Sequence, residues 1–274
     1  MAYNDLVYEV SDCVATITLN RPDKMNAWTM AMDAEYRQAL EDARKRNDVR
    51  AIIVTGSGRA FCAGADMGLL ASAQDGSLGM DEAEIEALAF GVDGVRQDFR
   101  MPYSFPVGIG KPIIAALNGY AMGLGLVHAL FCDIRIASDD AQLSTLFARR
   151  GLIAEHGIAW ILPRLVGLGH ALDLMLTGRT VNAEEALRLG LVSRVVPHAE
   201  LLNAARETAL QIATQCSPRS TGVIKRQVWE SSFTDLVQAT RLANKEMFES
   251  FKSSDFSEAL MAFFQKRPAE FTGE

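Results

Sequence analysis

The chain has 274 residues, a formal net charge of -7 and 49% hydrophobic residues. That length suits one large domain, or a domain with an appendage, and the apolar fraction is that of a globular protein with a sizeable core. The acidic balance argues against general nucleic-acid binding, because phosphate contact needs clustered Lys and Arg.

Local basic spots such as Arg149-Arg150 and Lys225-Arg226 suit either a small phosphorylated ligand or a solvated helix face. Cys13, Cys62, Cys132 and Cys216 are far apart and form no C-x-x-C pair. Reduced thiols, a cytoplasmic site and no metal are therefore expected. Cys62 reads as a small buried residue rather than a nucleophile. No basic segment followed by an apolar one opens the chain, so no secretory signal is expected. The apolar stretch 105–132 is interrupted by Lys111, Pro112, Asn118 and His128, whereas a membrane span needs about 20 uninterrupted apolar residues. It reads as a buried strand–turn–helix unit.

In chain order, Leu6–Val10 and Val14–Leu19 alternate as a hairpin, and Asn20-Arg21-Pro22-Asp23 breaks the pattern. A helix is predicted from Thr29 to Arg46, with Met32, Tyr36, Ala39, Leu40 and Ala43 on one stripe. A strand and glycine-rich turn follow over residues 51–66. A loop is expected at Ala73–Gly79, a helix at Asp81–Phe99, and a second strand–turn unit over 112–125. Ile134–Ala137 reads as a strand. Residues 155–177 carry helical periodicity broken at Pro163 and Gly167–Gly169. Asn182 to Gly190 has a capped start and a glycine stop. Leu191–Val196 is a short strand, and from His198 to Phe264 the pattern is helical. The boundary is expected near residue 197, with an α/β core over 1–197 and a helical region over 198–274.

The two glycine-rich turns carry the chemistry. One runs from Ala51 through Gly56, Gly58 and Gly64 to Asp66. The other runs from Pro112 through Asn118, Gly119 and Gly123 to Gly125. Superposed, they match Ile52 with Ile113, Ile53 with Ile114, Gly58 with Gly119, Ala60 with Ala121 and Gly64 with Gly125. Each reads as a buried strand, a loop and the start of a helix, where backbone N–H groups can stabilise negative charge. Two such turns can aim two donors at one oxygen, as an oxyanion requires.

Asn20-Arg-Pro, Asn26-Ala27, Phe61-Cys-Ala-Gly-Ala-Asp66 and Asn118-Gly-Tyr-Ala-Met-Gly123 occur in order, followed by Cys132-Asp133, Ala183-Glu-Glu-Ala, Gly190-Leu-Val192 and Lys266-Arg267. This set resembles the crotonase superfamily, the enoyl-CoA hydratase/isomerase family, over nearly the whole chain. The resemblance implies a spiral of repeated ββα units with a C-terminal helical oligomerisation region that builds a homotrimer or a hexamer. It implies an acyl-CoA substrate, with coenzyme A as part of that substrate, and neither a prosthetic group nor a metal. Carried over by position, the oxyanion donors are the amides of Ala65 and Leu124, where the family commonly has glycine at the second. Ala63, Gly64 and Asp66 fall at the coenzyme A contact. Lys24, Arg59 and Lys266 are phosphate candidates. Asp66 also suits a helix N-cap, and each of the three cations also suits ordinary solvated charge.

The two glutamates of the family's hydratases fall at Val127 and Phe147, neither of which can move a proton. A third family position, used by isomerases that shift a 3-enoyl double bond, falls at Glu155. The resemblance therefore favours isomerisation, with Glu155 as the single acid and base and Val127 and Phe147 as hydrocarbon lining a drier pocket. Without it, Glu155 reads first as an acidic residue at a helix N-terminus, favoured there by the helix dipole. His128 and His156 are alternative proton carriers, and Arg149 and Arg150 could orient Glu155 or bind a substrate carboxylate. Hydration or acyl-CoA hydrolysis through Glu155, and a catalytically silent acyl-CoA-binding paralogue, are the competing readings. A nucleotide-binding domain would need a G-x-G-x-x-G after the first strand, which Gly123-Leu-Gly125 does not complete.

Overall fold

A computed structural model describes residues 3–77 and 95–274. Alternating apolar residues draw Leu6–Ser11 (β1) and Val14–Leu19 (β2) into an antiparallel hairpin. Its two-residue turn, Asp12-Cys13, has φ of 50° and 62°, the geometry that matches the twist of the flanking strands. β2 pairs in parallel with Ala51–Gly56 (β3). The short strand Ala60–Cys62 (β4) then leaves for a second sheet, and Ile113–Leu117 (β5) returns beside β3. The same step recurs: Tyr120–Met122 (β6) joins β4, Ile134–Ser138 (β7) joins β5, and Gln142–Ser144 (β8) joins β6. Val181–Asn182 (β9) closes the small sheet and Arg194–Val196 (β10) the large one. This is the spiral of repeated units that the resemblance implies.

Residues that match in the internal repeat also stand side by side at the start of the first two units. Ile52 and Ile53 lie opposite Ile113 and Ile114. In the small sheet the match slips: Ala60 faces Tyr120 and Cys62 faces Ala121, with an irregularity between them. A bulge adds a residue to one strand, so a superposition at constant spacing cannot follow it. Each glycine-rich segment also holds a second strand that the sequence reading missed, with the helix starting after it.

β3 is buried on both faces, as parallel strands are. Ile52 and Val54 face the main core with the predicted stripe of Met30–Lys45 (α1), all five of whose residues are buried. Thr29 caps α1, accepting from the Met32 amide at 3.1 Å. Ala51, Ile53, Ile114 and Ile136 face the other way, against Ala205, Ala209 and Ala213 of Leu201–Gln215.

Met67–Gln74 (α2) occupies the start of the segment expected as a loop at Ala73–Gly79. The helix expected at Asp81–Phe99 lies outside the described residues up to position 94, and Gln97–Phe99 is a single 3-10 turn. Leu124–Leu130 (α3) follows β6. Ile158–Val166 (α4) and Leu168–Thr177 (α5) are separated at Gly167, as the periodicity indicates. Pro163, in contrast, sits inside α4 rather than breaking it. It is the sixth of the nine residues, so it forgoes the bond to the Ala159 carbonyl, and the helix runs only three residues further before ending at Gly167. Asn182 caps Ala183–Leu189 (α6) through the Glu185 amide at 2.9 Å, and Gly190 ends it at φ 81°. The chain finishes in Leu201–Gln215 (α7), Pro218–Glu230 (α8), Leu236–Phe251 (α9) and Ser254–Gln265 (α10). Among the described residues no helix is long and apolar enough to cross a membrane.

Candidate active site

Two buried asparagines hold the first glycine-rich turn from either side. Asn26 Nδ2 donates to the Ser57 and Ala60 carbonyls at 2.9 and 2.7 Å. Asn118 Nδ2 donates to the carbonyls of Gly58 and Ala60 at 3.0 and 3.2 Å. Both therefore meet on the Ala60 carbonyl, which ties the Asn26-Ala27 and Asn118-Gly119 motifs into one structural unit. Amide side chains suit this task because each offers a donor and an acceptor. Asn118 Oδ1 accepts from Gly56 and Asn26 Oδ1 from Arg21.

The two turns then approach each other closely. Gly64 has φ 103°, and a Cβ on it would lie 3.0 Å from the Met122 carbonyl oxygen and 4.0 Å from the Leu124 nitrogen. A Cβ on Gly125 would lie 2.2 Å from the Cys62 carbonyl oxygen. Only glycine permits either contact.

Trp28 donates to the Gly64 carbonyl at 2.8 Å and accepts from the Asp66 amide at 2.9 Å. A parallel bridge with this pattern turns the intervening Ala65 N–H away from Trp28. Leu124 is the first residue of α3, so its N–H has no partner within the helix. Ala65 itself precedes Asp66, the N-cap of α2, whose carboxylate accepts from Gly68 at 2.9 Å. The first turn therefore presents an amide ahead of its helix, whereas the second presents one at the helix start.

Ala63, Gly64, Ala65, Asp66 and Leu124 border a cavity of about 1160 Å³. Lys24, Phe147, Arg150, Glu155 and His156 line the same cavity. Val127 is fully buried in the core and Arg59 and Lys266 are exposed, and none of these three borders the cavity. Val127 is therefore corrected from pocket lining to core packing: it points off α3 into the cluster that holds Trp28 and Tyr36. Arg149 donates to the Thr177 carbonyl at 2.7 Å. Cys62 is fully buried, and burial pushes its thiol up to about 12.

Glu155 precedes α4, whose N-cap is Gly157, and its own carbonyl accepts from Ile158. It lies in a turn before the helix rather than in the first helical turn. Partial burial raises its carboxyl above the ordinary value. His156, at φ 56°, holds Nε2 3.5 Å from Glu155 Oε2. Burial lowers that imidazole to about 4, so it is neutral at pH 7 and makes no ion pair with Glu155. Its ring packs on Tyr103 at 4.4 Å, and Tyr103 on His128 at 5.4 Å. His128 is itself fully buried against Trp28 and held well below its ordinary pKa by burial, which leaves it without a route to the cavity.

Sequence reasoning missed the aromatic part of the wall, formed by Phe99, Tyr103, Phe131, Trp160 and Phe233. These residues come from distant segments and share no spacing. Only Phe131, next to Cys132-Asp133, touches a motif.

A sequence profile of the family described as enoyl-CoA hydratase/isomerase matches residues 9–274. A protein of Rhodobacter capsulatus named "Probable enoyl-CoA hydratase" is 36% identical over 277 residues, covering 100% of both chains. The short-chain-enoyl-CoA hydratase of Clostridium acetobutylicum is 33% identical, covering 98% of each. The crystal structure of enoyl-CoA hydratase from Bacillus anthracis superposes with a TM-score of 0.87 at 30% identity, over 99% of this chain and 100% of that one.

Proposed function

The chain belongs to the enoyl-CoA hydratase/isomerase family, and on that premise we propose that it is a cytoplasmic enzyme acting on an acyl-CoA thioester, with Glu155 as its single acid and base. The thioester carbonyl accepts from the Ala65 and Leu124 amides. Glu155 takes a proton from the carbon beside the carbonyl of a 3-enoyl thioester. The electron pair moves onto the carbonyl oxygen as a dienolate, and Glu155 returns the proton at the far end of the allylic system, leaving a 2-enoyl thioester. Two fixed donors bind the oxygen more strongly once it carries the charge, and so lower the barrier, each by about 3–4 kcal/mol.

The observation that carries this reading is the shared cavity wall of Ala65, Leu124 and Glu155. Burial of Glu155 supports it too, since a raised pKa makes a stronger base. Phe147 on the wall supports isomerisation over hydration, because hydrocarbon stands where a second carboxylate would hold a water. The names of the relatives favour the second reading, hydration with Glu155 alone activating the water. Lys24 and Asp66 line the same cavity and are the residues assigned to coenzyme A in this reading. Homotrimers, single or paired, are the proposed assembly. Exposed Leu236, Val237, Phe248, Phe263 and Phe264 on α9 and α10 support it, and sedimentation at several concentrations tests it.

The test of the reaction is incubation with 2-enoyl-CoA and 3-enoyl-CoA, with and without Glu155→Gln. Isomerisation that disappears in the variant while acyl-CoA binding persists is the expected result. Water addition to the 2-enoyl substrate without isomerisation would favour the second reading. Binding without turnover on either thioester would leave a silent carrier.

A further inference from the structure

Helix α3 measures the depth of the cavity. Leu124 begins it, Phe131 closes it, and both border the cavity. Seven residues of helical rise separate them by about 10 Å. Past Phe131 the wall is aromatic. Gly157 lies against it at φ 78°, and a Cβ there would stand 3.4 Å from Phe131 Cζ, an ordinary van der Waals contact, so the left-handed backbone and not lack of space calls for glycine. Trp160 stacks on Phe233 at 5.1 Å and 15°, and Phe233 meets Phe99 edge-on at 5.6 Å.

Behind this wall Trp229 stacks on Trp160 at 6.5 Å. Its indole N–H donates to Asp133 Oδ1 at 2.9 Å, and Asp133 Oδ2 is held by Lys225 at 2.8 Å. Lys225 also donates to the Pro106 and Lys111 carbonyls at 3.0 Å each. A fully bonded buried ion pair thus fixes the back of the aromatic wall, and the space in front of it is built in advance.

We infer that the aromatic end formed by Phe99, Phe131, Trp160 and Phe233 selects an unsubstituted hydrocarbon acyl tail of medium length. The inference rests on the acyl-CoA reading above and names its substrate class. An extended chain advances about 1.2 Å per bond, so roughly eight bonds span the distance from the thioester to Phe131. These four side chains offer hydrocarbon surface and ring faces to a tail, and a polar terminus would lose its hydration there without a partner.

Saturated acyl-CoA thioesters test this without turnover. Calorimetric titration with butyryl-, hexanoyl-, octanoyl- and decanoyl-CoA should show affinity rising by about fourfold per added methylene up to octanoyl, and levelling off between octanoyl and decanoyl. Trp160→Ala should weaken octanoyl-CoA at least fivefold more than butyryl-CoA. Equal affinity for butyryl and octanoyl chains, with turnover of an enoyl-CoA intact, would overturn this inference alone. Tighter binding of a glutaryl thioester, whose carboxylate could meet Arg150 on the wall, would overturn it as well. Failure of every acyl-CoA to bind would remove the acyl-CoA reading and this one together. Should Trp160→Ala fail to fold, the chain-length series on the unaltered protein still decides.

Discussion

Glu155 Oε2 and His156 Nε2 stand 3.5 Å apart as neighbours in sequence, and burial moves their pKa values in opposite directions. The carboxyl is raised, the imidazole lowered to about 4 from an ordinary 6.5. Both shifts favour the uncharged form. An uncharged His156 leaves Glu155 without a counter-ion and so preserves its basicity.

The imidazole has a signature in stability. Its lowered pKa means that the unfolded chain binds its proton first. The contribution to stability is therefore complete above pH 6.5 and is lost as pH falls towards about 4. Asn tolerates the left-handed backbone and never ionises. His156→Asn should flatten the acid-side fall in melting temperature within that window, by about 1–2 kcal/mol after solvent screening. An unchanged profile in the variant would place the imidazole outside the titrating set.

Glu155→Gln should separate activity from stability. Turnover should fall by roughly 10²–10⁴. Because the folded state holds the carboxylate less readily than water does, stability from this group is present below its unfolded value and lost as pH rises through the raised one. The variant should therefore melt at or above the parent at pH 7.5, with the advantage gone at pH 4. The activity of the parent should drop on acidification with a midpoint above the ordinary 4.5. A variant that loses stability at pH 7.5 would point to a structural carboxylate.

Gly125→Ala should be among the most damaging single-methyl additions in the chain. The new Cβ would sit 2.2 Å from the Cys62 carbonyl oxygen, so one turn must retreat from the other and carry the Leu124 amide with it. A loss of about 2–4 kcal/mol in urea unfolding is expected, with kcat reduced in whatever protein remains folded. Gly169→Ala is the control. It meets nothing within 4 Å and lies inside α5, where alanine should add about 0.5–1 kcal/mol.

Lys225→Met tests the brace behind the aromatic wall. It leaves Asp133 buried beside Trp229 with its charge unpaired. A cost of about 3–5 kcal/mol is expected in denaturant titration. Lys225→Met with Asp133→Asn together should recover part of it, since the amide needs no counter-charge and still accepts from Trp229. A double variant as unstable as the sum of the singles would argue that the two residues act independently.

Much of this architecture was legible before any coordinates. The α1 stripe, the hairpin and the Asn182 cap follow from periodicity and turn chemistry, which act over a few residues. The slip between Ala60 and Tyr120 was not legible, because a bulge leaves no fixed signature in spacing. Pro163 read as a break because proline removes an amide donor, yet α4 continues past it to Val166.

For the site, local chemistry determined which residues could serve: two glycine-rich turns able to bring backbone together, and a carboxylate ahead of a helix. Tertiary structure decided which of them meet. It put Glu155, Ala65 and Leu124 on one cavity, took Val127 into the core, and assembled Phe99, Phe131, Trp160 and Phe233 from distant segments. The reason is physical. Backbone conformation responds to neighbours along the chain, whereas burial and pKa respond to whatever packs alongside, and in a spiral of stacked units that neighbour is about 60 residues away in sequence, as Ala60 and Tyr120 illustrate.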